Sequence, residues 1–152
     1  MSLVVISILW LYLLNPNSGL LNAILNKVGI ASQPFLTSPK QAMYAIVFVS
    51  AWQGAGYQML LFLGGMQNMP LLKPTALFVL LTTLISAFKL IVQPMVMTQG
   101  GPLNSTITMV YYIYQQGFTD RLVGYSSSIA LVFTTLIGMI SLVQRRVLKE
   151  DD

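Results

Sequence analysis

In the stretch "LFVLLTTLISAFKLIVQPMV" (residues 77–96), Lys89 is the one charge inside a long apolar run. A cation at bilayer depth is costly unless it faces a partner or an aqueous cavity. It lies nine residues before Thr98, or ~13 Å along a helix, farther than a lysine comfortably snorkels. The alternative is a structural lysine that still reaches outward. Pro94 follows shortly and has no N–H to return to the Leu90 carbonyl. A kinked helix with a free carbonyl beside an ammonium suits a water-lined path. Ser86, Lys89 and Gln93 form one polar stripe at helical spacing, and Ser50, Gln53, Gly54 and Tyr57 form another on the preceding run. Such stripes either join helices through hydrogen bonds or line a route for a solute. Gly54/Gly56 and Gly64/Gly65 read as places of close packing.

Other chemistries lack their residues. His and Cys are both absent, which removes the usual soft metal ligands and imidazole or thiol catalysis. No apolar run contains Asp or Glu, so a carboxylate proton relay or sodium site has no ligands. There is no nucleophile–base pair and no phosphate-cradling G-x-x-x-x-G-K-[ST] loop. We therefore expect no catalytic residues, no metal and no cofactor in this chain, and a passage or an assembly subunit instead.

The elements that would position these groups are membrane helices. Of the 152 residues, 55% are hydrophobic and 8% charged, against about a quarter charged in soluble domains. A net charge of +4 is too scattered for nucleic acid. Three runs, about 42–65, 75–97 and 123–143, reach the roughly 20 residues a span requires. The run at about 2–14 covers two-thirds of the hydrocarbon and reads as a partial span whose beginning lies upstream; no cleavable leader is expected. The fold class is all-α membrane protein, with three full spans, one partial span and short interfacial helices.

Between the spans, segments 66–74 and 144–152 carry Lys73, Arg145, Arg146 and Lys149, whereas the longer 15–41 and 98–122 carry Lys27, Lys40 and Arg121. The positive-inside rule places 66–74 and the C-terminus in the cytoplasm. Leu20, Leu21, Ile24, Leu25 and Val28 recur at helical spacing and Gly29 stops them, so 15–41 holds a short interfacial helix or a loop packed on its neighbours. Ser38-Pro39 suits the start of the next helix. In "TMVYYIYQQGF" the pattern fits a short helix better than a strand, with aromatics suited to headgroup level.

The chain resembles the permease subunits of binding-protein-dependent ABC importers for carbohydrates, of the maltose and glycerol-3-phosphate type. The resemblance is carried, in order, by "ILWLYLLNPNSGLLN", "AWQGAGYQMLLFLGGMQNMP", "MTQGGPLNSTITMVYYIYQQGF" and "VGYSSSIALVF". It implies a partial type I importer transmembrane domain in a prokaryotic inner membrane. Its implied partners are membrane lipid, a second permease, two ATPase subunits that supply ATP and magnesium chemistry, and an extracytoplasmic solute-binding protein. Carried over, the sugar passage falls on Gln53, Gly54 and Tyr57, and on Ser86, Ala87, Lys89 and Leu90. The resemblance also implies that the loop at Gly100, Gly101 and Pro102 covers the outer side, where a solute-binding protein docks.

Two departures stand out. The family has six core helices, of which the first two and part of the third have no counterpart here. Between the counterparts of "QNMP" and "LLKPT" it carries a cytoplasmic EAA segment with a short helix that docks into the ATPase. Here Met69, Pro70 and Leu71 follow one another directly, so this junction reads as the site of the missing coupling segment. The expected function is a sugar-importer permease; the alternative is an ATP-independent channel or uniporter component, or an assembly subunit, that has lost its coupling. Because the chain lacks Cys, single cysteines report topology without background. Ser18→Cys and Asn104→Cys should react with an impermeant reagent from outside; labelling only from the cytoplasmic side would reverse the assignment.

Overall fold

The computed structural model describes residues 2–66 and 72–147, and every regular element among them is helical. Helices run over Leu3–Leu13 (α1), Leu20–Lys27 (α2), Ala42–Met66 (α3), Leu72–Phe88 (α4), Met109–Tyr114 (α5) and Val123–Val147 (α6). Two π-helical turns, Pro94–Thr98 and Gln115–Thr119, lie between them. Ala42–Gly65 and Val123–Gln144 are long and apolar enough to cross a membrane; Leu3–Leu13 and Thr75–Phe88 are apolar but shorter. The junction Met69-Pro70-Leu71 and the acidic tail lie outside the described residues.

The chain forms two compact units. The first comprises residues 1–51 and 90–111. Its core is Ile6 and Leu14 of the α1 region, Leu36, Ile46 and Val49 before and within α3, and Met97. Trp10 meets Phe48 edge-on with ring centroids 5.7 Å apart. In α2, Leu21 packs against this core while Leu20, Ile24 and Val28 stay exposed, so the expected amphipathic helix is present with one side held and one free. The Gly29 and Ile30 N–H groups donate to the Asn26 and Leu25 carbonyls, which ends the helix where Gly29 adopts a positive φ.

Asn22 organises the outer segment. Its buried amide donates to the Pro16 and Gln33 carbonyls at 3.1 and 3.0 Å, and its Oδ1 accepts the Gln33 N–H at 2.9 Å. One side chain thereby pins both flanks of α2. At the far end of the segment, the Ser38 carbonyl accepts the Gln41 and Ala42 N–H groups, feeding the chain into α3.

The second unit comprises residues 52–89 and 112–152. In it α4 packs on α6, with Phe88 and Phe133 edge-on at 6.0 Å. The turn Gln115–Thr119 packs on the start of α6, and the Ser126 hydroxyl donates to the Ile113 carbonyl of α5 at 2.8 Å. In the α3–α4 hairpin, the Gln58 amide donates to Thr83 Oγ1 at 2.7 Å. Nearer the tip, a Cβ on Gly65 would lie 2.8 Å from the Thr75 Cβ, so only glycine allows this approach. The pairs 58/83 and 65/75 belong to one antiparallel register. Open space surrounds Gly56 and Gly64, so of the four glycines Gly65 makes the close contact.

The run 75–97, expected as one span, is not one helix. α4 ends at Phe88, Lys89–Ile91 are non-helical, and winding resumes at Val92 into the π turn. Pro94 removes the N–H that would continue the ladder from Leu90, and the chain opens just upstream.

Asn22→Ala should leave the Gln33 N–H and two carbonyls without their partner, costing about 1–3 kcal/mol for buried unpaired groups. A lowered thermal midpoint for the detergent-solubilised chain checks this; an unchanged midpoint would mean that solvent replaces the amide.

Candidate functional site

Among the described residues, no cluster of His, Cys, Asp or Glu could hold a metal ion. The polar groups to consider lie along α3, at the end of α4 and in the loops that follow. Gln53 and Gly54 are half-buried on α3 and Tyr57 is 65% exposed, so its ring and hydroxyl are free to meet a ligand or a neighbouring helix. A Cβ placed on Gly54 would meet only the Gln58 amide, at 3.7 Å.

On α4, Ser86 is exposed and its hydroxyl donates back to the Thr82 carbonyl at 2.7 Å, as serine does in a helix facing an apolar environment. Ala87 is exposed and lines a groove of about 500 Å³ with Phe62, Val79, Leu80, Thr83 and Leu84. That groove is apolar. Its one hydroxyl, on Thr83, accepts from Gln58 and lies against the Val79 carbonyl, so it offers a sugar little to bond.

Lys89 is exposed in the non-helical segment. The Leu90 side chain packs against the core of the first unit, leaving its backbone as the part available for polar contact. The carbonyl freed by Pro94 is already taken, because the Thr108 hydroxyl donates to it at 2.6 Å. A protein hydroxyl thus supplies a partner here. The sequence offered a signal, a threonine opening a short helix, but nothing to say that its hydroxyl reaches back 18 residues.

Gly100, Gly101 and Pro102 lie in a tightly bonded loop. Gly100 has φ +83°, and a Cβ there would press on Ile107 and Tyr111 at 3.0 and 3.1 Å, so both backbone and space demand glycine. Gly101-Pro102 is cis. Beneath the loop, the buried Thr106 hydroxyl lies 2.9 Å from the Gly101 carbonyl and 2.7 Å from Thr98 Oγ1, itself 2.9 Å from the Pro94 carbonyl.

After this loop, Tyr114 stacks on Phe118 at 5.2 Å, and the Gln116 amide donates to Asp120 at 2.7 Å. A hydrogen bond with Tyr125 holds the Tyr112 phenol above its usual pKa, with the neighbouring Tyr125 charge, desolvation and Asp120 adding in the same direction. The Tyr112 phenol is therefore protonated at neutral pH. Aromatic faces and amides suit sugar rings and hydroxyls, and this cluster escaped the sequence reading, which treated its aromatics as anchors alone.

Comparison with known proteins follows the same lines. No family model matches the chain. It is 28% identical over 174 residues to the probable ABC transporter permease protein YurN of Bacillus subtilis, covering 97% of this chain and 60% of the relative. It is 28% identical over 151 residues to the arabinooligosaccharides transport system permease protein AraP of the same organism, covering 83% and 48%. Its fold matches the crystal structure of a bacterial ABC transporter involved in importing the acidic polysaccharide alginate, with a TM-score of 0.82, 16% identity, and coverage of 99% of this chain and 61% of that one. The chain is thus similar in sequence to permease subunits of ABC transporters, in line with its motifs. It spans about half to three-fifths of the length of the curated relatives it matches. The match to YurN is longer than this chain of 152 residues, so the relative carries residues inside it that have no counterpart here.

If the α3 and α4 polar groups line a route, alanine at Gln53 or Tyr57 should slow solute passage in an assembled complex. Lys89→Leu should reduce passage more than it reduces assembly. Uptake and co-purification measured on the same membranes separate the two effects; unchanged uptake in all three variants would leave these residues with helix packing alone.

Proposed function

We propose that the chain is a membrane-embedded part of a permease subunit of an ABC importer for sugars or related carbohydrates. The observation that carries this is the match to permeases through 97% of the chain, together with a fold likeness covering 99% of it. Its part is passage, not catalysis: ATP would be hydrolysed by separate partner subunits. A second permease, two ATPases and an extracytoplasmic binding protein complete the expected system in a prokaryotic inner membrane. In this reading, the C-terminus and the α3–α4 tip face the cytoplasm, and the loop at Gly100–Pro102 faces outward. Gln53, Gly54, Tyr57, Ser86, Ala87, Lys89 and Leu90 border the route, with the aromatic and amide cluster at 112–125 beyond its outer end. AraP is named for arabinooligosaccharides and the structural neighbour for alginate, which supports carbohydrate as the class without choosing a sugar.

A second reading rests on the hairpin. The relative carries residues absent here, and contacts at Gly65/Thr75 bring α3 and α4 together with only residues 67–71 between the helix ends. We place the missing residues at this tip. Without a docking element, ATP has no differential contact by which to bias two states of the membrane part. The chain would then conduct without ATP or serve assembly alone.

Co-expression with a candidate second permease and its ATPase distinguishes these readings. Association with the permease is expected, whereas association with the ATPase should require a segment inserted after Pro70. Stable ATPase binding by the unaltered chain would refute the uncoupled reading, and sugar flux in vesicles without ATP separates a conduit from an assembly subunit.

A further inference from the structure

The non-helical segment at Lys89–Ile91 leaves a backbone problem that one side chain solves. Pro94 offers no N–H to the Leu90 carbonyl. The Thr108 hydroxyl donates its proton to that oxygen at 2.6 Å, and its own oxygen accepts the Tyr111 N–H at 3.3 Å. Thr108 is the residue before α5, and Tyr111 is the third residue of that helix, so the second bond is an N-terminal cap. A hydroxyl has one proton to give, and here it is committed to the interrupted helix while its lone pair holds the start of the next. The flanks of the segment are bonded independently: the Lys89 N–H donates to Ile85 and the Met95 N–H to Ile91. Between them, the Thr108–Leu90 bond links the break to the outer loop.

We propose that Thr108 is a positioning residue that fixes the geometry of the break through the Leu90 carbonyl. That the break borders a solute route rests on the function proposed above; the latch does not. The coupling is mechanical: a displacement of the loop at 99–108 is delivered to the Leu90 carbonyl through one hydrogen bond.

The test uses the full chain in lipid vesicles with a nitroxide on Ile91→Cys, the only cysteine present. Thr108→Val should loosen the label, raising the mobile fraction relative to the fixed one roughly tenfold, as expected for a carbonyl left unpaired. Thr108→Ser should restore the original spectrum. Pro94→Ala supplies an N–H to Leu90, so it should tighten the label by itself and largely cancel the effect of Thr108→Val. Loss of the α5 cap is common to both backgrounds, so the non-additivity isolates the Leu90 bond. Equal spectra for Val and Ser at position 108 would overturn the proposal, as would a Thr108→Val effect of equal size with and without the Pro94→Ala change. Should Thr108→Val fail to fold, an unchanged label in Pro94→Ala alone would overturn it. The label needs no substrate or partner, so failure here leaves the transport reading standing, and failure of transport leaves the latch standing.

Discussion

A backbone carbonyl in an apolar setting must find a donor, and that requirement shapes the part of this molecule where its polar groups gather. In a regular helix the donor is the amide four residues on. Pro94 withholds it, and the consequences spread in both directions along the chain. Upstream, α4 stops at Phe88 and presents Lys89 at an interruption instead of on a helix face. Downstream, the helix resumes as a wider π turn that ends in the glycine loop. The missing partner is recruited from Thr108, beyond that loop, which obliges the loop to fold back over the helix it has just left.

The loop is built for that return. Gln99, Gly100, Leu103 and Asn104 all take positive φ, so the chain reverses within a few residues. Thr98 and Thr106 bring two hydroxyls beneath it, flanked by the Pro94 and Gly101 carbonyls. Those two hydroxyls carry two protons for three close oxygen pairs, so one contact at a time lacks a proton. Local chemistry therefore defines the path of the loop and leaves its hydrogen-bond pattern three ways to be drawn, one for each contact that can lack the proton.

Much of this was legible in the residues. Hydrophobic runs located α1, α3 and α6, the Leu–Ile–Val spacing before Gly29 located α2, and the aromatic stretch after the glycines gave a helix as read. These elements are specified by local pattern, which a single sequence contains. The interruption at Lys89–Ile91 was only half legible: Pro94 announced a kink, but the donor that stabilises it lies 18 residues away, and sequence spacing alone does not register such a contact. Asn22 was invisible for the same reason, since its partners in residues 15–16 and at Gln33 meet only when the segment closes around α2. The polar stripes on two helices were legible as helical spacing; what they face was not, because spacing within one helix does not specify its neighbours.

The hairpin of α3 and α4 carries its alignment within itself. Gln58 against Thr83 and Gly65 against Thr75 are both contacts within the helices themselves. For flexible connections in general, each doubling of length costs only about 0.6 kcal/mol in closure. The tip can therefore be lengthened into a docking element or cut back to a turn while the pair beneath it stays the same. Under the function proposed above, a coupling segment at this tip would be an attachment, and its gain or loss would leave the contacts at Gln58/Thr83 and Gly65/Thr75 in place.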